Sequence, residues 1–476
     1  MKHPVIIGRK EESSILERNY QSYKSEFVIL YGRRRVGKTF LVNQLFAEKF
    51  TFRMTALANS SMSRQLLNFQ VALLNFDAEL AGDTPPSNWF QAFQLIIKLA
   101  DRDKQTKKVI FFDELPWFDT YKSDFLSALE HFWNSWAALR NDVLLIGCGS
   151  AASWMINKLI KNRGGLHNRI TERIYLQPFT LSETEAFLKW KGAVYDRYQL
   201  LELYMTMGGV PFYLENIRVN RSVAQNIDRM FFSPSGLLRL EYDSLYQSLF
   251  NKYERHLIIV ETLAKKSKGM LRKTLIKESK LSDGGSTTSI LNELEDSGFI
   301  KKYVPFGKRK RDAFYRLSDP YTLFYLTFVK DSKAQGEGAW LARLNNPKWQ
   351  AWSGYAFEYL CMYHIDAIKK HLGISSVYTE VSPWKSNLSK GGAQIDLLLD
   401  RNDRIINICE MKFSTSEYAI SAAYAKQLTN KLTVFKSETE TKKTLLLTFI
   451  TSMRLKNNQY AQRMVKDALT MDALFD

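Results

Sequence analysis

Residues 32–39 read GRRRVGKT, which fits the pattern G-x-x-x-x-G-K-[ST]. They follow the short apolar run EFVILYG and open a helix-like stretch over 38–49. No other feature of the chain narrows its fold as much. A strand that turns through glycines into a helix aims backbone N–H groups at one point, and that point is a cradle for phosphate oxygens. Gly32 and Gly37 allow the tight turn without a Cβ penalty. Lys38 sets a point charge on the β and γ phosphates, and the Thr39 hydroxyl can ligate Mg²⁺. ATP and Mg²⁺ are therefore the expected cofactors. Arg33, Arg34, Arg35 and Val36 complete the loop. The arginines make it strongly cationic, and either help bind the triphosphate or point outward to a partner domain or DNA.

Such a loop needs an acid at the end of a neighbouring buried strand. VIFFDE (109–114) supplies Asp113, to hold Mg²⁺, and Glu114, to orient and deprotonate an attacking water. Around these pieces, strand-like runs at 50–57, 143–150 and 173–179 alternate with helical stretches at 62–80, 89–101 and 122–139. Continuous apolar strands separated by helices predict an α/β fold with a parallel sheet covered on both faces.

Composition limits the remainder. Lysine and arginine number 67 against 49 acids, a net charge of +18, which favours a polyanion such as nucleic acid or nucleotide, or an anionic membrane surface. With 45% hydrophobic residues and 11 prolines in 476 residues, a disordered or fibrous chain is excluded and about three domains are expected. Cys148, Cys361 and Cys409 form no CxxC pair, which excludes a disulfide scaffold or zinc ribbon and fits a reducing cytosol. The start MKHPVIIGRKEE is too short in apolar residues for a signal peptide, and the longest apolar runs fall short of a membrane span. A cytoplasmic protein without a membrane partner is the expectation.

Residues 1–180 form the nucleotide-binding core on this reading, and 181–250 a helical lid. Residues 251–330 show three helical stretches and then two strands around a basic turn, the order of a winged helix-turn-helix. The turn GKRKRD (307–312) suits phosphate contacts on DNA. The third helix carries Glu293, Glu295 and Asp296, which would be repelled in a major groove unless only its N-terminal turn enters. DSKAQGEG (331–338) reads as a linker. Residues 340–476 are α+β. His364 and His371 lie seven residues apart without a third ligand, and read as partly exposed helix residues rather than a metal site.

The last segment holds QIDLLLDRNDRIINICEMKF, with Asp396 followed fourteen residues later by Glu410-x-Lys412. RND is a turn signal, so the flanking strands should pair antiparallel, with Glu410 and Lys412 on the same face. A loop centred at Asp403 would place Asp396 opposite Glu410, and a two-residue turn would need a bulge to do the same. Burying two unpaired acids would be costly. As metal ligands for Mg²⁺, with the lysine orienting water or stabilising phosphate, they would suit hydrolytic displacement.

Two resemblances follow from these residues. FVILYGRRRVGKT, IFFDELPW, LLIGCGSAASWM, RGGLHNR and GGVP resemble the prokaryotic archaeal-type ATPase family, in the STAND branch close to AAA+ proteins. The early GRKEE (8–12) resembles the box that lies near the adenine in such proteins. That resemblance implies a sensor role for Ser150, an arginine finger or sensor at Arg169, and packing of Pro211 near the adenine. The carboxylates resemble the PD-(D/E)XK nuclease superfamily, over roughly residues 351–435. There Glu358 matches an acidic residue on the preceding helix, and Gln427 a glutamine of RecB-like members. Ile395 stands where a proline is customary. Together they imply a P-loop NTPase parallel sheet with helical lid, winged helix-turn-helix and a C-terminal restriction-nuclease-like domain. The function implied is ATP-dependent action on DNA, with homo-oligomerisation left open. The alternative is an ATP-controlled switch that binds protein partners, with an inactive nuclease-like domain.

Overall fold

The computed structural model describes residues 5–161, 164–166, 168–250, 252–266, 268–333, 336, 338–344, 346–388 and 391–476. The chain divides into two compact units, Met1–Pro178 and Phe179–Asp476.

The first unit opens with α1 (Lys10–Tyr20), then β1 (Glu26–Tyr31), α2 (Lys38–Phe46), β2 (Phe50–Thr55), α3 (Met62–Leu74), α4 (Ala78–Ala81) and α5 (Trp89–Arg102). It continues with β3 (Lys108–Asp113), α6 (Phe125–Ser135), β4 (Val143–Gly149), α7 (Ala152–Trp154) and β5 (Glu172–Tyr175). The strands lie in the order β2-β3-β4-β1-β5, and every pairing is parallel. The expected doubly covered α/β sheet is thus present. One face buries Phe52, Phe112 and Leu145 among α3, α5 and α6. The other buries Val28, Leu41 and Ile146 against α1 and α2. The stretch predicted as one helix over 62–80 breaks in two, because Asp77 caps α4 by accepting from Leu80 N at 2.9 Å. The helix predicted over 122–139 starts later, at Phe125, where Lys122 and Asp124 take left-handed φ of 55° and 52°.

The second unit begins with helices α8 (Leu181–Lys191), α9 (Arg197–Met207), α10 (Pro211–Glu215), α11 (Val223–Ile227) and α12 (Leu237–Leu249). Capping boxes Thr180/Glu183 and Asp196/Gln199 start the first two. Next come α13 (Glu254–Ala264), β6 (Met270–Leu271), α14 (Arg272–Ser279), α15 (Gly285–Asp296), β7 (Ile300–Tyr303) and β8 (Phe314–Leu317). Their strands form an antiparallel sheet in the order β6-β8-β7. The chain then forms α16 (Pro320–Phe324), α17 (Pro347–Tyr363), α18 (Ile365–His371), β9 (Thr379–Lys385), β10 (Gln394–Arg401) and β11 (Ile405–Lys412). It ends with α19 (Ala422–Thr439), β12 (Thr444–Thr451), α20 (Gln459–Met464) and β13 (Val465–Thr470). The last sheet runs β13-β12-β11-β10-β9. It is antiparallel among β9, β10 and β11, and parallel from β11 through β13.

Within this unit one hydrophobic cluster includes Phe231 and Leu245 of the helical segment, Leu294 and Leu317 of the three-helix segment, and Trp352 and Leu397 of the C-terminal segment. The stretch read as a linker is tied back to the helices. Asp228 accepts from Gly338 N at 3.1 Å and Trp340 N at 2.6 Å, while residues 334, 335 and 337 lie outside the described residues.

His364 corrects an expectation. It is buried, not partly exposed, at the break between α17 and α18. Its Nε2 accepts from Leu181 N at 3.0 Å, and Nδ1 lies 2.9 Å from Leu360 O. Burial lowers its pKa to about 4. The imidazole is a neutral packing and capping group. His371 stays on the surface, 2.6 Å from Asp476.

Candidate functional site

The nucleotide-binding loop spans the turn from β1 to α2. Gly32 has φ 146°, and a Cβ there would stand 2.3 Å from Leu176 O. The loop therefore passes too close to the chain after β5 for any side chain. Gly37 caps α2 at φ 92°. Arg35 also takes a left-handed φ, 71°. Arg33 is buried, Arg34 exposed and Arg35 half-buried, so the arginines divide between the loop's interior and its surface. Lys38 is 5% exposed. Its Nζ donates to Gly32 O and Arg33 O, both at 3.0 Å. Burial lowers the Lys38 pKa, with Glu114 and Asp113 opposing.

Thr39 Oγ1 donates to Asp113 Oδ2 at 2.9 Å, so the first residue after the lysine meets the acid at the tip of β3. Burial raises the Asp113 pKa, and the Thr39 hydrogen bond works against it. A hydroxyl and a carboxylate side by side are hard oxygen donors that suit Mg²⁺. Glu114 leaves the strand in the left-handed region at φ 54°, and its N–H donates to Asp113 Oδ1 at 3.1 Å. Ser150, just past β4, donates Oγ to Glu114 Oε1 at 2.6 Å and Oε2 at 2.7 Å. Gly32, Lys38, Thr39, Asp113, Glu114 and Ser150 therefore come together. Arg169 is exposed. Pro211 opens α10 in the second unit.

One residue of this site was missed in the sequence. Arg9, in a left-handed conformation within GRKEE, donates Nη2 to Val36 O at 3.0 Å. It braces the loop from 27 positions away. The only signal was its membership of that early box.

The second cluster lies on the C-terminal sheet. The antiparallel register of β10 on β11 runs from Asp400 opposite Ile406 to Leu397 opposite Cys409, one residue short of Asp396 and Glu410. Glu410 is buried, yet its partners come mainly from α19. Tyr424 Oη donates to it at 2.6 Å, Lys431 Nζ forms an ion pair with it, and Lys412 lies 3.7 Å away. Tyr424 and Lys431 went unnoticed in the sequence, although they flank exposed Gln427 at helical spacing on one face. Glu358 on α17 has its pKa raised to about 7 by burial and by Asp396. Arg316 Nη2 lies 3.7 Å from it. Among the described residues no three His, Cys, Asp or Glu side chains gather into one metal-holding group. Asp396 and Glu410 each offer carboxylate oxygens of the kind Mg²⁺ accepts, and Lys431 supplies positive charge at Glu410.

A five-stranded parallel sheet with a glycine loop at its first strand, and Thr39 meeting Asp113 at the neighbouring strand tip, defines a P-loop ATPase domain. Residues 7–217 match the family described as an ATPase domain predominantly from Archaea. An uncharacterized protein of Methanocaldococcus jannaschii is 22% identical over 418 residues, 86% of this chain and 88% of the relative. A second protein of that organism, named as an uncharacterized ATP-binding protein, is 47% identical over 45 residues, 10% of this chain and 76% of its own length. Among solved structures, the Walker-type ATPase of Pyrococcus abyssi is similar with a TM-score of 0.48 and 17% identity, covering 67% of this chain and 96% of that one. The ORC2 protein of Aeropyrum pernix gives a TM-score of 0.38 and 13% identity, covering 68% and 93%. No helix among the described residues is long and apolar enough to cross a membrane.

Proposed function

We propose that the chain is an ATP-hydrolysing protein that acts on DNA and carries a Mg²⁺-dependent nuclease-like centre on its C-terminal sheet. The observation that carries the ATPase part is the arrangement Lys38–Thr39–Asp113–Glu114. Lys38 leaves the carbonyls of Gly32 and Arg33 for the β and γ phosphates, and the loop N–H groups hold their oxygens. Glu114, oriented by Ser150, accepts the proton of the attacking water. Thr39 and Asp113 would hold Mg²⁺, which supplies charge neutralisation on the phosphates. Arg169 is proposed as an arginine finger or sensor of the γ-phosphate.

The DNA part rests on segment 251–330, read as a winged helix. Helix–strand–helix–helix–strand–strand is its element order, and Lys308–Arg311 are exposed between β7 and β8. The acids of α15 do not form its outer face. Glu293 Oε2 lies 2.7 Å from buried His256 Nε2, while Ser286, Thr288, Ser289 and Asn292 are exposed. That neutral polar surface toward the helix N-terminus supports the reading in which the N-terminal turn meets base edges and phosphates.

The second reading is a nucleotide-controlled switch whose C-terminal domain binds without cutting. The hold of Lys431 and Tyr424 on Glu410 favours it. One experiment separates the two: DNA is incubated with ATP and Mg²⁺ and wild type, Asp396→Ala or Lys38→Ala. Cleavage that requires Asp396 supports the nuclease reading, and identical DNA from wild type and Asp396→Ala rejects it. ATP hydrolysis by Lys38→Ala at the wild-type rate rejects the ATPase reading.

A further inference from the structure

The carboxylate centre was read in the sequence as the property of residues 340–476 alone. In the folded second unit, side chains of the three-helix segment reach it. Arg316 on β8 is almost buried, lies 3.7 Å from Glu358 Oε2, and donates to Tyr355 O at 3.2 Å. Lys268, in the turn before β6, donates to Gln394 Oε1 at 3.2 Å. Gln394 Nε2 in turn donates to Asp396 Oδ1 at 2.8 Å. Two separate links thus run from one segment to two acids of the other.

The basic loop is joined to the same sheet. Phe306 N–H donates to Pro383 O on β9 at 2.8 Å, and the Phe306 ring packs on Phe435 of α19 with centroids 5.4 Å apart. Lys308 Nζ lies 3.4 Å from Asn387 Oδ1. Strand β9 pairs with β10, Trp384 opposite Ile395. The exposed cations of 308–311 are therefore docked one strand away from Asp396.

We propose that the three-helix segment and the C-terminal sheet form one composite site for the phosphodiester backbone of DNA. The inference rests on reading that sheet as a nuclease-like centre. A polyanion is repelled by Glu358, Asp396 and Glu410 unless cations stand beside them. The loop at 308–311 holds the backbone, Lys268 carries the positive charge to the rim of the carboxylates, and Arg316 is a positioning residue for Glu358.

The charge logic gives a signature that a merely structural role does not. Removing a cation from a shared site strengthens binding of a metal cation and weakens binding of a polyanion. The test uses the nucleotide-free full chain, Mn²⁺ alone as the metal probe followed by calorimetry, and a labelled DNA followed by fluorescence anisotropy across a salt series. Lys268→Met should tighten the Asp396-dependent Mn²⁺ site and weaken DNA binding, each by roughly three- to tenfold. It should also reduce the salt slope by about one. Arg316→Met should shift both affinities the same way. If burial of Arg316 makes that variant fail to fold, exposed Lys268 still decides the matter. Unchanged Mn²⁺ and DNA affinities in Lys268→Met, beside Asp396-dependent Mn²⁺ binding in wild type, overturn the composite site alone. Mn²⁺ binding that Asp396→Ala leaves intact overturns the nuclease-like reading and the composite site with it.

Discussion

The hydroxyl of Ser150 donates to both carboxylate oxygens of Glu114, at 2.6 and 2.7 Å, across 36 positions of sequence. The strand end of β4 therefore holds the side chain proposed as the base for ATP hydrolysis. Glu114→Gln should lower the kcat for ATP hydrolysis about a hundredfold or more while leaving ATP binding intact. Ser150→Ala should lower it roughly tenfold, because the base remains but its orientation is lost. Steady-state phosphate release with a separate nucleotide-binding titration checks both. Equal kcat in Ser150→Ala and wild type would refute the positioning role.

Lys38 is buried and its charge is disfavoured by burial. Lys38→Met should therefore melt no lower than wild type without nucleotide, since it removes a desolvated charge. It should nonetheless lose the nucleotide-induced rise in stability. In wild type that rise is about 2.7 kcal/mol at a hundredfold excess of ATP over its Kd. Thermal melts with and without ATP read both quantities.

The two loop glycines differ. Gly37→Ala meets nothing within 4 Å and suffers only its φ of 92°, a cost of about 1 kcal/mol. Gly32→Ala adds a collision with the Leu176 carbonyl at 2.3 Å, and should cost roughly 2 kcal/mol or more. Urea unfolding of the two variants should rank them in that order.

His364 makes stability fall in acid. The folded imidazole binds its proton only near pH 4, against 6.5 for the solvent-exposed imidazole of the unfolded chain. Below 6.5 the unfolded chain takes up protons first, so stability is full above that pH and drains away down to about 4. The loss is about 3 kcal/mol over that window. Comparing urea midpoints at both ends for wild type and His364→Gln tests it; an equal pH dependence in the two proteins counts against the assignment.

Much of the nucleotide site was legible because its signals are short-range. A glycine loop, a buried strand ending in Asp113 and Glu114, and alternating apolar runs each depend on neighbours within a few residues. The antiparallel pairing of β10 with β11 was legible for the same reason, since a turn fixes both its strands. The contact of Glu293 on α15 with buried His256 of another helix was not legible, because it depends on how the helices pack. His364 was misjudged for the same reason, its burial being set by Leu181, 183 positions earlier.

The sequence by itself determined the phosphate-binding loop, its acidic partner and the hairpin of the last sheet, since backbone propensity and periodicity are local. Only the tertiary structure decided that Arg9 braces Val36, that Ser150 holds Glu114, that Lys431 and Tyr424 take Glu410, and that Arg316 and Lys268 reach the C-terminal acids. Those partners are chosen by how helices and strands distant in the chain pack together, and a hydrogen bond or ion pair forms only where packing brings both ends within about 3–4 Å.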